Sequence, residues 1–476
     1  MRDEKSFAAI SNREEGLKRH LTPGQMSMIA IGGAIGTGLF MGSGYAISFA
    51  GPGVLISYGI GAVIALLLMG CLAEMTIAHP TSGSFGAYAE FYLSPLAGFL
   101  VRYSYWAAIV LAIGTEVTAI AMYMKYWFAD VPGWVWIISF SALLILSNAI
   151  SVKAFGHFEY IFSAVKIAAI LAFILLGVWL VFGGSNTEYG FHHYVDHGGF
   201  LPKGWSGVWI ALIIAIFSYL SIETIAVAAG EAEEPTKAVK HAFRVTMARL
   251  LFFYIITLAL ILAMTPWDVA AQGTESPFVV VMNKLGIPAA TGTINFVILV
   301  AALSAMNSQL YAATRIMFSL SRAGYAPNKL GNLNKRGIPM NALLISCAGT
   351  AVATSIYVMF PEQSFMLMMS IAIFGAMFTW MMIFLTHLSF RRYQVKNGHK
   401  LEFKMWGYPW GTLIGAGLTF AILVTTAFVP RFNMTLVFGL PFLIILTVCY
   451  RVFLRTRVVS GENSAVDTES VPNVTQ

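Results

Sequence analysis

Apolar and polar positions alternate along this chain on a long wavelength. Runs of about twenty apolar residues follow one another, separated by short polar joints. A helix rises 1.5 Å per residue, so about 20 apolar residues cross the hydrocarbon of a bilayer. The runs fall at 22–50, 54–77, 96–127, 134–150, 155–182, 207–230, 245–264, 293–320, 342–360, 365–388, 410–429 and 434–454. They predict an all-α integral membrane protein of 12 transmembrane helices. Residues 79–90 are too short and too polar to cross and predict a connecting helix. Glu275 to Val279, inside the joint 266–290, predicts a helix lying over one end of the bundle. The chain divides into a terminal segment at 1–21, five runs in 22–182, a polar loop at 183–206 and five runs in 207–388. A basic loop with the last two runs fills 389–456, and a polar tail expected to be disordered occupies 457–476.

Two runs are interrupted. The first holds Gly32-Gly33-Ala34-Ile35-Gly36-Thr37-Gly38, four glycines in seven residues. Each glycine costs about 1 kcal/mol of helix propensity relative to alanine, so the helix is expected to open there. Tight helix packing is the other use of membrane glycines. A packing stripe through Gly32 and Gly36 would next meet Phe40, and Gly33 and Gly38 lie off that face. An opened backbone survives at membrane depth only inside protein or beside water, and a restarted half-helix presents free N–H groups suited to a carboxylate. The sixth run carries a second interruption, Phe217-Ser-Tyr-Leu-Ser-Ile-Glu223. Broken helices in corresponding positions of two five-helix halves point to a midplane binding site.

Composition agrees with the pattern. Of 476 residues, 58% are hydrophobic and 11% charged, with a mean hydropathy of +0.74. Soluble domains carry about 25% charged residues. The first 23 residues are charged and lack an apolar core, which argues against a cleaved signal peptide. The net charge of +7 could suggest nucleic acid, but its distribution does not. With the N-terminus inside, the inner segments hold 23 Lys and Arg, whereas the outer ones hold Lys125, Lys203, Lys284 and Arg431. That asymmetry places both termini in the cytoplasm. Cys71, Cys347 and Cys449 lie in apolar runs without common spacing, so no disulfide or zinc framework follows.

An ionisable group near the bilayer centre is a functional hypothesis by default. Lys166 lies 11 residues into the fifth run, Glu116 is central in the third, and Glu223 follows the second interruption. Lys166 is about 16 Å from the inner end, too deep to snorkel. A buried lysine can trade protons across a cycle, and a packing ion pair is the structural alternative for all three. Glu74 and Arg315 sit near inner helix ends and suit interface anchors or a closing ion pair. His192, His193 and His197 could ligate a metal, but no helical register holds them, so a solvated loop without metal is expected.

Several ordered motifs carry a resemblance over residues 15–455. They are Ile31-Gly-Gly-Ala-Ile-Gly-Thr-Gly-Leu-Phe40, Glu74-Met with Pro80-Thr-Ser-Gly-Ser-Phe85, and Ser151-Val-Lys-Ala-Phe-Gly156. Phe217-Ser-Tyr with Glu223, Ala228-Ala-Gly-Glu231 and Asn307-Ser-Gln-Leu-Tyr-Ala-Ala-Thr-Arg315 complete the set. The chain resembles amino-acid permeases of the amino acid, polyamine and organocation superfamily, in particular the bacterial branch of GABA, proline, aromatic and neutral amino-acid permeases. The resemblance implies a leucine-transporter-type fold: a 5+5 inverted repeat with broken helices 1 and 6, plus two C-terminal helices. It places the substrate carboxylate on the amides of Ile35, Gly36, Thr37 and Gly38. The ammonium goes to carbonyls of Phe217, Ser218 and Leu220, and Lys166 takes the place of a sodium ion, with Ser304 beside it. Relatives commonly have glycine at the position of Ser221, whose hydroxyl could serve as a ligand.

The reading that follows is a plasma-membrane importer of a neutral amino acid, driven by proton symport with alternating access. Small or hydroxylated side chains come ahead of proline, GABA or aromatics. Lys166, with Glu116 or Glu223, would carry the coupling proton. No cofactor beyond the proton, no nucleic acid and no obligate protein partner are implied; the partners are the free amino acid and the bilayer. An uncoupled exchanger is the first alternative. A non-transporting sensor lacks a sizeable signalling region, and an enzyme lacks a paired nucleophile and base.

Overall fold

The apolar runs fold as helices in a computed structural model that describes residues 4–17, 21–150, 152–183, 188–271, 275–286 and 289–454. The tail at 457–476 lies outside the described residues, as does most of the joint before residue 188. A short helix, α1 (Glu4–Arg13), precedes the first run. That run is divided into α2 (Pro23–Ala34), a π-helical turn at Gly38–Gly42 and α3 (Ser43–Ala50). The following helices are α4 (Val54–Ala78), α5 (Ser84–Tyr92), α6 (Pro95–Met124), α7 (Gly133–Ile150) and α8 (Val152–Phe182). The second interrupted run gives α9 (Gly204–Ser218) and α10 (Thr224–Ala228), followed by α11 (Pro235–Met264), α12 (Trp267–Ala270) and α13 (Pro277–Lys284). The chain continues as α14 (Ala290–Arg322), α15 (Met340–Ser346), α16 (Ala348–Met359), α17 (Ser364–Lys396), α18 (Trp410–Thr425) and α19 (Met434–Cys449). No strand occurs among the described residues.

Among these residues nine segments are long and apolar enough to cross a membrane, and Gly204–Ser218 and Leu251–Met264 are shorter apolar helices. The first of the nine, Gly24–Ala78, is 55 residues long and contains both the π-helical turn and a glycine turn at Gly51–Gly53. Gly51 has φ of 57°, which ends α3 and lets the chain turn through Pro52.

Burial sorts the helices into an inside and an outside. The apolar window of α14 is 94% buried and that of α6 83%, whereas that of α19 is 17% buried. α6 packs against both α14 and α17 and forms the centre of the bundle. α8 and α19 turn Leu175, Trp179, Phe182, Ile444 and Val448 outward. An apolar surface of that extent needs lipid around it. The chain is therefore an all-helical membrane protein.

Starts and stops follow local chemistry. Thr22 and Gln25 form a capping box, with Thr22 Oγ1 accepting from Gln25 N at 3.3 Å and Gln25 Oε1 from Thr22 N at 3.1 Å. Ser94 caps α6 by accepting from Ala97 N at 3.1 Å. The connecting helix expected within 79–90 is α5, and the covering helix expected near 275–279 is α13. Serine opens α13 as well: Ser276 Oγ accepts from Phe278 N at 3.3 Å and donates to Phe40 O at 2.5 Å, fastening the covering helix to the π-helical turn.

The polar loop departs from its expected form. Residues 191–194 form a 3-10 turn bound to the end of α11, with Gly190 N donating to Ala263 O at 2.8 Å and Tyr194 Oη to Ala259 O at 2.7 Å. A tyrosine hydroxyl reaching a helix-terminal carbonyl supplies the register that histidine spacing alone did not suggest.

Candidate functional site

The first break lies where the glycines place it. α2 stops at Ala34, Ile35 turns out of helical geometry at φ −85° and ψ 85°, and the chain regains a helical course only from Thr37. Its glycines are not in left-handed backbone; they permit close approach instead. A Cβ on Gly32 would fall 1.8 Å from Glu159 Oε1, and one on Gly38 would fall 2.8 Å from Ser218 Cα. The two breaks therefore touch. The amides here are engaged: Ile35 N donates to Ile31 O at 2.9 Å, Gly36 N to Ala34 O at 3.1 Å and Thr37 N to Glu116 Oε2 at 3.3 Å. Glu116 from α6 is thus a carboxylate seated on the restarting half-helix, buried to 2% exposure.

Side chains from three helices donate to carbonyls along the last half of α2 and at its end, where the final carbonyls lack helical partners. Lys166 Nζ donates to Gly32 O at 2.7 Å and Ile35 O at 3.1 Å. Ser163 Oγ donates to Met28 O at 3.0 Å, and Ser308 Oγ to Ile29 O at 3.4 Å. Tyr254 Oη lies 2.7 Å from Ala34 O and 2.8 Å from Ser218 O, joining the two breaks from α11. Glu159 sits on the same face of α8 as Lys166, two helical turns earlier. Its carboxylate accepts from Ser304 Oγ and, at 2.9 Å, from Asn307 Nδ2, both on α14. Ser304, expected beside Lys166, thus reaches Glu159.

At the second break α9 ends at Ser218, and α10 begins at Thr224. Ser221 has φ of 76°, a left-handed conformation that suits glycine better than serine. Glu223 holds it there: Ser221 N donates to Glu223 Oε1 at 3.1 Å, and Trp380 Nε1 from α17 donates to Glu223 Oε2 at 3.2 Å. Leu220 N donates to Phe217 O at 3.1 Å, and Ser218 Oγ lies 2.9 Å from Tyr58 Oη. The hydroxyls of Thr37 and Ser221 are buried without a hydrogen-bond partner among the described residues. The structure therefore brings Ile35, Gly36, Thr37, Gly38, Ser218 and Ser221 together with Lys166 and Glu116. It gives Glu223 to the backbone of its own break.

The sequence that folds into these two abutting breaks has relatives among known proteins. The sequence model described as amino acid permease matches residues 25–460. The chain belongs to the amino acid permease family. It is 38% identical over 459 residues to Amino-acid permease RocE of Bacillus subtilis, covering 94% of this chain and 98% of that protein. Against the gamma-aminobutyric acid permease of the same organism, identity is 34% over 468 residues, or 98% of this chain and all of the relative. The aromatic amino acid transport protein AroP of Salmonella typhimurium is 36% identical over 417 residues, 87% of this chain and 91% of that one. These relatives bear the names of transporters rather than enzymes, and the permease is an amino-acid transporter of the cell membrane.

Charged clusters flank the permease's breaks. Arg315, on α14, donates to Glu231 at 2.7 and 3.2 Å, and Tyr311 Oη joins at 2.8 Å; Glu231 is the partner that sequence did not give it. Leu21 N donates to Glu231 O at 3.1 Å, so the segment before α2 is stitched to the same place. Glu74 is not paired with Arg315; it binds Arg391, His387 and the amide of Met405. The buried Arg102 bridges Glu14 at 3.1 Å and Glu90 at 2.8 Å, which docks the turn after α1 against α5 and α6. Two surface cavities, about 400 and 350 Å³, lie at Tyr123, Glu275 and Tyr357 and at Glu14 and Thr81; none of the break residues lines them.

Glu159 and Tyr254 are the residues that sequence reading missed. The signal for Glu159 was its seven-residue spacing from Lys166, which puts both on one helix face. A test of this seam is Gly32→Ala. The added methyl meets the Glu159 carboxylate and Ser163 Oγ, where overpacking costs about 1–3 kcal/mol. The variant is expected to insert normally yet lose at least tenfold in amino-acid uptake by reconstituted vesicles, and unchanged uptake would contradict the tight contact.

Proposed function

We propose that the permease imports a neutral amino acid by proton symport with alternating access, its zwitterion held between the two breaks. The observation that carries this reading is the Glu116 carboxylate on the Thr37 amide: the half-helix end already accepts a carboxylate from within the protein. An incoming substrate carboxylate would take that seat, and Glu116 would leave it by accepting a proton. Lys166 on the opposing helix end would respond to the same change of charge.

Other features support the finer assignments. Among the described residues, nine membrane-length segments, a glycine turn inside the first, and two shorter apolar helices are compatible with twelve passes. Breaks after Ala34 and Ser218, in the first and sixth runs, are what two inverted five-helix halves plus two last helices would need. The excess of Lys and Arg in 389–409 and 322–336 favours a cytoplasmic position for that end and for both termini. The break, covered by α13 at one end and closed by Glu231 and Arg315 at the other, corresponds to an occluded stage of the cycle.

Substrate preference follows from what is left over. Lys166, Glu159 and Glu223 are all occupied with the protein, so no fixed charge remains for a charged side chain. Buried, unpaired hydroxyls on Thr37 and Ser221 suit a small or hydroxylated one. The relatives named for gamma-aminobutyric and aromatic amino acids set the range of competitors to try. In vesicles empty of amino acid, an inward proton gradient is expected to drive neutral amino acids uphill, and collapsing the gradient to stop it. Uptake that occurs only when amino acid is preloaded would replace symport by exchange.

A further inference from the structure

The loop between α8 and α9 contains a cluster that transport of an amino acid does not use. A nitrogen of His192, a nitrogen of His193 and a carboxylate oxygen of Asp196 lie within 4.8 Å of one another. The backbone sets them there: Val195 N and Asp196 N both donate to His192 O, at 2.9 and 3.0 Å, which folds Asp196 back over the histidines. The two imidazole rings are 4.1 Å apart.

His193 supplies the second, independent observation. It is 8% exposed, and its Nε2 lies 2.9 Å from Glu188 O. A carbonyl can only accept, so in the neutral ring Nε2 carries the hydrogen and Nδ1 is left as a bare lone pair. That Nδ1 is buried without a hydrogen-bond partner among the described residues. A histidine whose outer N–H is fixed by a backbone carbonyl while its other nitrogen waits unpaired is arranged as metal ligands are.

We propose that His192, His193 and Asp196 form a site for a divalent transition metal, zinc by ligand type, that restrains the covering helix α13. Two imidazoles and one carboxylate are a familiar three-ligand zinc set, with water in the fourth position. The same loop reaches α13: Lys284 Nζ, at its last residue, is 3.3 Å from Glu188 Oε1 and 3.3 Å from Met264 O. Trp267 Nε1 on α12 donates to His197 O at 2.8 Å. An ion cross-linking His192, His193 and Asp196 stiffens the turn that Glu188 shares with Lys284, and α13 moves less freely. The inhibitory part of the proposal rests on the transport reading; the binding part does not.

The test begins with zinc binding by calorimetry on the full chain in detergent. One ion per chain is expected. His192 and Asp196 are exposed, so His192→Gln and Asp196→Asn leave the fold undisturbed, and each is expected to weaken binding at least tenfold. Equal affinity in the unaltered chain and the double variant, or no saturable binding at all, overturns the site. Zinc added on the side of residues 188–206 is then expected to slow uptake by the unaltered chain and spare the double variant. Binding without such inhibition overturns the restraint on α13 while leaving the metal site standing. Loss of uptake before any zinc is added speaks to the transport reading and not to the site.

Discussion

Lys166→Ala is expected to abolish uphill uptake driven by a proton gradient while leaving a residue of exchange. The side chain is fully buried and donates to two carbonyls at the end of α2, where the helix itself offers no donor. Hydrogen bonds from a charged group contribute about 1.5–3 kcal/mol each, so losing both costs about 3–6 kcal/mol at the break. Each 1.4 kcal/mol is about a factor of ten, which puts the loss at about two to four orders of magnitude. Uptake by the variant, measured with and without a pH gradient, should become slow and insensitive to the gradient. Accumulation that stays uphill and pH-dependent without Lys166 would sink the coupling assignment.

Glu159→Ala is expected to be nearly as damaging, for a different reason. The carboxylate gathers Ser304, Asn307 and Ser163 and is the anion that Lys166 shares α8 with. Without it the donors from α14 are left buried with no acceptor, at about 1–3 kcal/mol each, and Lys166 loses a neighbouring anion. Thermal unfolding in detergent should shift down by several degrees, and uptake should fall below a hundredth of the unaltered rate. Glu159→Gln separates shape from charge. It keeps one acceptor but presents an amide donor to the donors from α14, so it should recover part of the stability and little of the transport. Full transport in the glutamine variant would reduce Glu159 to a packing residue.

What the sequence disclosed depended on how local the cause was. The glycine cluster located the first break because helix propensity is a property of the residues themselves, and the polar stretch from Phe217 to Glu223 located the second for the same reason. Lys166 stood out because depth in the bilayer can be counted along one helix. Glu159 did not, because it lies near the start of its run, and its value comes from Ser304 and Asn307, some 145 residues away in sequence. Tyr254 was hidden as one aromatic among many in apolar runs, where a lipid-facing ring is the default. The partner of Arg315 was unreadable for a similar reason, since Glu231 reaches it only through the turn that ends α10. The second role of the glycines, yielding space to Glu159 and Ser218, required the neighbouring helices to be in place.

Tyr254 carries one hydroxyl hydrogen, yet two carbonyl oxygens stand within reach of it, one on each broken helix. Ala34 O also holds the Gly36 amide, so when the phenol turns to Ala34 it is Ser218 O that goes without, and the junction is short by a single donor on that side. A molecule bringing an N–H₃⁺ group makes good that shortfall, and its arrival frees the phenol to settle on the other side. A phenylalanine there would leave Ser218 O bare and Ala34 O with the Gly36 amide alone, which makes this hydroxyl the natural place to ask how cargo tells the two halves of the protein that it has come.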